Sequence, residues 1–365
     1  MTMTPDSAEN SPVLLVCAAN EYFAVGLAVS LYSLLIHSDA RRAYHIHILD
    51  GGIADESWNR LENTLAKSGR NVHLGRLVPP LSRFDGLPRD TGASHLAYAR
   101  LLIPELVAEP KCIYLDADLV FQRDLAQLWD LDFSGHAIIA TQDLGLRVLG
   151  NEKCDCQGLG LDPQAPYFNS GLMVLDLCRW RQAGVCEATM NYVKRHPERC
   201  PYWDQSALNV TLYRQWKPVD PGWNFPSLFV PQLDSAAERA AVNIHFVNRI
   251  KPWFFGHEQA PAAGTFYQYL DCTDFRGWRP TRLSRLQSVL FRAFPRMVDR
   301  GDQIEIHASA AWMACPPTER QQDLAALCDH LAGQHIGYAK LLVLDPRGNV
   351  YSEIQGPAAK ASGGK

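Results

Sequence analysis

Short apolar runs alternate with helix-patterned stretches along the first third of the chain, and this alternation constrains the fold more than any other feature. VLLVCAA (13–19), AYHIHILDGG (43–52), NVHLGRLV (71–78) and KCIYLDADLVF (111–121) read as strands. Between them lie EYFAVGLAVSLYSLLIHS (21–38), DESWNRLENTLAKSG (55–69) and SHLAYARLLIPELV (94–107). Leu27, Leu31, Leu34 and Leu35 recur at helical spacing in the first of these. Asp55 is the expected N-cap of the second helix and Gly69 its stop. Strands separated by helices of this length predict βαβ units, hence an α/β fold with a mostly parallel sheet. Ligands of such sheets collect at the carboxyl ends of the strands, and Asp116-Ala117-Asp118 stands at one such end.

The chain of 365 residues is 47% hydrophobic, enough for a large core. A formal net charge of -4 and a pI near 6.3 give no support for a nucleic-acid partner. No apolar run approaches the roughly 20 residues that cross a bilayer as a helix. The opening MTMTPDSAENSP lacks the basic-then-apolar form of a signal peptide, so a cytoplasmic location is expected. The scattered cysteines read as reduced thiols. Cys154-Asp155-Cys156 lacks a second Cys or His pair at zinc spacing and reads as two thiols in a flexible loop.

Two carboxylates one residue apart in an apolar run are costly to desolvate unless a positive charge meets them. Further along, APYFNSGLMVLDLCRW carries a polar Asn169-Ser170-Gly171 turn into an apolar strand. VNIHFVNRIKPWFFG places His245 at the end of another strand and Lys251 six residues on. Two carboxylates and a histidine form a hard, oxygen-rich set that suits Mn²⁺ or Mg²⁺ better than structural zinc. Such a cation could grip a diphosphate and stabilise a departing phosphate group. Taken singly, the same residues have bland alternatives. The Asp pair is then solvated or a turn cap, His245 a core histidine, Asn169 an Asx turn, and Asp204-Gln205 a helix N-terminus.

The ordered set YLDADLVFQRDLAQLW, YFNSGLMVLDLCRWR, YWDQSALN and HFVNRIKPW resembles glycosyltransferase family 8. This family of retaining enzymes includes bacterial lipopolysaccharide galactosyl- and glucosyltransferases and the glycogenins. The resemblance implies a GT-A fold, a UDP-sugar donor and Mn²⁺. It assigns Asp116, Asp118 and His245 to the metal, and Lys251 to the diphosphate. Arg100, Asn169, Ser170, Asp204 and Gln205 fall to the donor sugar. Ala18, Ala19, Asn20, Phe23 and Ala117 fall to UDP, with Phe23 stacking on the base in place of the usual Tyr and Asn20 accepting the uracil N–H. The catalytic pair is then Gln205 and Asp204. A neutral amide is a poor nucleophile, so Gln205 is expected to stabilise a front-face ion pair while Asp204 holds a sugar hydroxyl. The implied acceptor is lipopolysaccharide or another surface glycan or glycolipid. Asn20-Glu21 varies the family pattern, and Val247, Asn248 and Arg249 stand where a phosphate-loop glycine is usual.

The GT-A domain is expected over residues 13–275, with disordered ends at 1–12 and 358–365. RPTRLSRLQSVLFRAFPRM (279–297), within a basic amphipathic segment 276–300, has Leu283, Leu286, Leu290 and Phe294 near helical spacing. It suits either peripheral contact with an anionic membrane or packing on the main domain. Residues 301–357 read as a small α+β extension outside the resemblance. Two other functions compete. One is a haloacid dehalogenase-type phosphatase with Asp116 as nucleophile and GDQIE (301–305) as its late acidic motif. The other is a sugar-nucleotide binder without turnover.

Overall fold

The computed structural model describes residues 12–89, 95–151, 154, 156–247, 250–254, 257–280, 293–294, 296–300, 302–333 and 338–356. Most of the two expected disordered ends, residues 281–292 of the amphipathic segment, and Asn248 and Arg249 lie outside them.

Strands β1 (Val13–Ala19), β2 (Ala43–Asp50), β3 (Asn71–Leu77), β4 (Pro88–Arg89), β5 (Lys111–Asp116) and β6 (Leu119–Val120) come first. Then follow β7 (Ile138–Gln142), β8 (Phe168–Asp176), β9 (Trp216–Val219), β10 (Phe225–Pro226) and β11 (Ile244–His245). The last four are β12 (Arg296–Asp299), β13 (Gln303–His307), β14 (Lys340–Leu344) and β15 (Val350–Gln355). The main sheet runs β3-β2-β1-β5-β8-β7-β9. β3, β2, β1 and β5 are parallel, β8 runs against both β5 and β7, and β9 runs parallel to β7. This is the expected α/β architecture, with an antiparallel insertion at the strand bearing the Asp pair.

Burial on both faces explains the continuous apolar strands. Leu15, Cys17, Tyr44, Ile46 and Ile48 share a core with Leu27, Leu31, Leu34 and Leu35 of helix α1 (Ala24–His37). Leu14, Val16 and Leu49 point the other way, against Tyr98, Leu101 and Leu102. Gly26 lets α1 lie against the Asp-rich turn: a Cβ there would sit 2.7 Å from the Ala117 carbonyl oxygen and 2.8 Å from the Trp253 ring.

Several local expectations need correction. Helix α2 (Asp55–Lys67) starts at Asp55, so the cap position is Ala54. The distant Glu21 carboxylate braces the helix start, accepting from Ala54 N at 2.8 Å and Ser57 Oγ at 2.7 Å. Asp55 instead pairs with Arg76 at 3.1 Å. The stop is as expected: Gly69 follows at φ +65. Asn169-Ser170-Gly171 lies inside β8, not in a turn before it. The β7–β8 register jumps there from Ala140↔Met173 to Thr141↔Asn169, a bulge that re-aims the polar residues. The strand around His245 is only two residues long, held between β6 and β10. Cys156 is buried with Leu149, Ala165 and Tyr167 in a small apolar cluster. All ten cysteines are free thiols.

The C-terminal unit is α+β, as expected. A second sheet runs β15-β14-β13-β12-β4. Leu327 and Leu331, on the helix Pro317–Gly333, share a core with Ile304, Ile306, Leu341 and Val343. Phe294, one of the stripe that suited either a membrane or packing on the main domain, is buried in this C-terminal core with its ring 4.8 Å from Trp312. Among the described residues no helix is long and apolar enough to cross a membrane.

Candidate active site

Strand order alone brings the site together. Ala18 on β1 is in register with Asp116 on β5, so the loop after β1 and the Asp116–Asp118 turn open at the same sheet edge. β11 pairs with β6 and sets His245 opposite Leu119, beside Asp118. One ligand atom from each of Asp116, Asp118 and His245 lies within 4.8 Å of the others. Among the described residues this is the only such three-residue group.

Each ligand is oriented by a partner. Asp116 Oδ1 accepts from Tyr114 Oη at 2.7 Å and from Arg100 Nη2 at 3.1 Å. Asp118 Oδ2 pairs with Lys251 Nζ, which also donates to the Phe246 carbonyl. Burial would raise the Asp118 pKa, but the positive charge beside it, that of Lys251 first, holds the carboxyl far below the usual range. His245 Nδ1 lies 2.7 Å from Asn224 Oδ1, while Asn224 Nδ2 donates to Asn169 Oδ1 at 2.8 Å. With the amide so oriented, Nδ1 carries a proton, so in the neutral imidazole the lone pair is on Nε2. That lone pair faces Asp118 Oδ1 at 3.1 Å, a buried oxygen that makes no hydrogen bond. Two lone pairs at this distance repel unless a positive charge, a proton or a metal ion, stands between them. Gly171 makes room: a Cβ there would lie 2.3 Å from His245 Cε1 and 2.9 Å from Asp116 Oδ2. The donor set therefore fits a hard divalent cation.

A cavity of about 670 Å³ opens from this point. Its lining includes Arg100, Asn169, Ser170, Asp204, Gln205 and Lys251 besides the three ligands. Arg100 is buried, stacks 4.5 Å over Tyr114, pairs with Asp204 at 2.9 Å and donates to the Ser170 carbonyl at 2.7 Å. Gln205 Oε1 accepts from Ser170 N at 2.9 Å, and Nε2 donates to Asp143 Oδ2 at 3.3 Å. Asp204 and Gln205 open the helix Trp203–Thr211, whose first residue has a left-handed φ of 47 at the cavity wall.

The residues assigned to UDP lie outside this lining. Ala19, Asn20 and Ala117 are buried, and Ala18 is half-buried at the end of β1. Asn20 Oδ1 is buried without a hydrogen-bond partner. Phe23 is half-buried, its ring edge-on to Trp253 at 5.7 Å and to Phe254 at 6.3 Å. Val247 lines the cavity.

Two functional residues escaped the sequence reading. Asp143 ends the apolar run AIIATQ and binds both Asn169 and Gln205. An acid closing an apolar strand is the same signal that marked Asp116. Asn224 sets the His245 tautomer from 21 residues away, and no local pattern announces it.

Burial, partly opposed by Arg100, lifts the Asp204 carboxyl to about 6. A raised folded pKa contributes stability below the ordinary carboxylate range, and that contribution is lost as pH rises through about 6. A shift of about two units corresponds to up to about 3 kcal/mol. In metal-free buffer, Asp204→Asn should therefore raise the thermal midpoint at about pH 7.5, with the gap closing towards about pH 4.5. A midpoint lower than wild type at the higher pH would reject this account.

Residues 14–256 match the family model for glycosyl transferase family 8. General stress protein A of Bacillus subtilis is 29% identical over 276 residues, which is 71% of this chain and 93% of that protein. Glycosyltransferase GlyF of Streptococcus pneumoniae is 22% identical over 247 residues, 66% of this chain and 56% of that one. Among solved structures, galactosyltransferase LgtC in complex with donor and acceptor sugar analogs superposes with a TM-score of 0.60 at 22% identity. It covers 74% of this chain and 98% of its own, and it shares the GT-A fold. The haloacid dehalogenase-type alternative gives way on both counts: Asp116 ends the fifth strand, not the first, and Gln303–Glu305 of GDQIE lies in β13 of the separate C-terminal sheet. The family match across two thirds of the chain, on a GT-A fold with the Asp-Asp-His group at the sheet's carboxyl edge, makes this protein a member of glycosyltransferase family 8.

Proposed function

We propose that the chain is a retaining hexosyltransferase. It moves galactose or glucose from a UDP-sugar to a hydroxyl of lipopolysaccharide or another surface glycan, with Mn²⁺ or Mg²⁺ held by Asp116, Asp118 and His245. The observation that carries this is the convergence of Asp116, Asp118 and His245, with a buried Asp118 oxygen 3.1 Å from His245 Nε2, beside a cavity large enough for a sugar. When bound, the cation neutralises diphosphate charge and stabilises the leaving nucleotide.

The chain's own residues do the rest. Lys251 leaves Asp118 for the phosphate oxygens, a point charge transferred between anions. Arg100 is fixed by Asp116, Asp204 and Ser170, and its position keeps Asp204 aimed at the sugar. Asp204 accepts from a sugar hydroxyl. Gln205, held by Ser170 and Asp143, turns a fixed amide dipole towards the anomeric carbon as it gains positive charge. Attack from the face that UDP leaves retains the configuration. Asn20, with its unpartnered amide oxygen, accepts from the uracil N–H.

The direct test is a panel of nucleotide sugars with Mn²⁺, Mg²⁺ or chelator, following UDP release and the product anomer. UDP-galactose or UDP-glucose should be hydrolysed slowly without acceptor, and chelator should abolish the reaction. Release of phosphate from sugar phosphates, with no use of UDP-sugars, would overturn the proposal. Gly171→Ala places a methyl group among the ligands and should remove Mn²⁺ binding measured by calorimetry or electron paramagnetic resonance, while the protein stays folded. Gln205→Ala should lower kcat by about 10²-fold with little change in donor KM. Full turnover in that variant removes Gln205 from the mechanism.

A further inference from the structure

Three consecutive side chains follow Asn20, and each is anchored on a different part of the molecule. Glu21 accepts from Ala54 N and Ser57 Oγ at the start of α2. Phe23 packs edge-on against Trp253 and Phe254. Tyr22 reaches the C-terminal unit: its hydroxyl lies 3.2 Å from His330 Nδ1, with the ring centroids 5.5 Å apart. The first two anchors come from residues within the family match, which covers 14–256. The third comes from the helix Pro317–Gly333, outside it.

The C-terminal unit has a second hold on the same region. β12 pairs antiparallel with β4, Val298 with Pro88 and Met297 with Arg89. β4 is tied to the segment that carries Arg100. Tyr98 Oη donates to the Pro88 carbonyl at 2.7 Å, and His95 Nε2 lies 3.1 Å from the Leu87 carbonyl. The unit thus grips the catalytic domain at the loop after β1 and just before the Arg100 segment. Burial keeps the half-buried His330 imidazole neutral, so a ring nitrogen can accept from the Tyr22 hydroxyl.

On the basis of the nucleotide site assigned above, we propose that the C-terminal unit is a working part of the donor site. Through His330 it holds Tyr22, and with it the Asn20–Phe23 loop, in the position that receives the nucleoside of the donor. His330 is a positioning residue. It acts through Tyr22, and its loss lets the loop sample orientations in which the Asn20 amide no longer meets the base.

The test combines steady-state kinetics with calorimetry of UDP in the presence of Mn²⁺, on the full chain. His330→Ala should weaken UDP binding and raise donor KM about three- to tenfold, the scale of one hydrogen bond, with kcat and acceptor KM unchanged. Tyr22→Phe removes one hydroxyl and should do the same, and the double variant should add little. His330→Gln, which keeps an acceptor, should recover most of the affinity. Arg347→Ala, in the exposed turn between β14 and β15, is the control and should match wild type. UDP affinity in His330→Ala equal to wild type overturns the inference, as does a fall in kcat at constant donor KM. Should His330→Ala fail to fold, unchanged UDP affinity in Tyr22→Phe overturns it equally. A wild-type chain that binds no uridine nucleotide overturns the nucleotide site itself, and this inference with it.

Discussion

Burying several carboxylates beside one another is the constraint around which this structure is built. Asp118 and Asp204 are buried and Asp116 is largely covered, so three negative charges stand close together out of water. Left alone, such a cluster would protonate or unfold its surroundings. Two fixed cations prevent this. Arg100 bridges Asp116 and Asp204, and Lys251 pairs with Asp118. Counted apart from His245, three carboxylates against two cations leave one negative charge in excess, beside the Asp118 oxygen that faces His245 Nε2. A site fully neutralised by its own side chains would have no attraction for a further cation. The raised Asp204 carboxyl and the depressed Asp118 carboxyl are two consequences of one arrangement. Lys251 stands closest to one acid, while the other shares its arginine with Asp116.

The backbone serves this cluster by bringing short pieces of distant chain to one sheet edge. β6, β10 and β11 are two residues each, too short to be stable alone, yet they place His245 against Asp118 and Asn224 against His245. The bulge in β8 does similar work. A regular strand would send Asn169 and Ser170 to opposite faces, whereas the register jump lets Asn169 bind Asn224 and Asp143 while Ser170 meets Arg100 and Gln205. The glycine within the bulge is required because His245, Asp116 and the Asn169 amide converge on the place its Cβ would take.

These devices also explain what could be read from the sequence. β1 and β5 were legible because burial on both faces demands continuous apolar runs, and α2 because one face alone is covered, whereas α1 is buried nearly all round. The Asp pair was legible because two acids interrupt such a run. His245 and Lys251 stood out only as part of an ordered set of motifs, since neither carries a local pattern of its own. The Asn169–Gly171 bulge was misread as a turn: both use Asn, Ser and Gly, and only the pairing partner distinguishes them. The brace at the start of α2 was missed because its acceptor, Glu21, lies more than thirty residues upstream. Asn224 was invisible for a related reason. A hydrogen bond that sets a tautomer depends on position in space, and an asparagine in a loop has many ordinary uses.

Glu21 shows how little of a binding loop belongs to its own sequence neighbourhood. Its carboxylate binds the N-cap residue's N–H and the Ser57 hydroxyl at the start of α2, so the loop is fixed by the helix. A helix N-terminus favours an anion, and here a side chain is that anion. The adjoining Asn20 amide oxygen is left with nothing to accept from. A buried acceptor without a partner costs about 1–3 kcal/mol. Three anchored side chains beside one unpartnered amide is the arrangement expected when a fold spends its local contacts on holding a single acceptor ready. That logic explains why the loop draws on helix α2, on the aromatic core and on the C-terminal unit at once: each removes one direction in which Asn20 could turn away to find water.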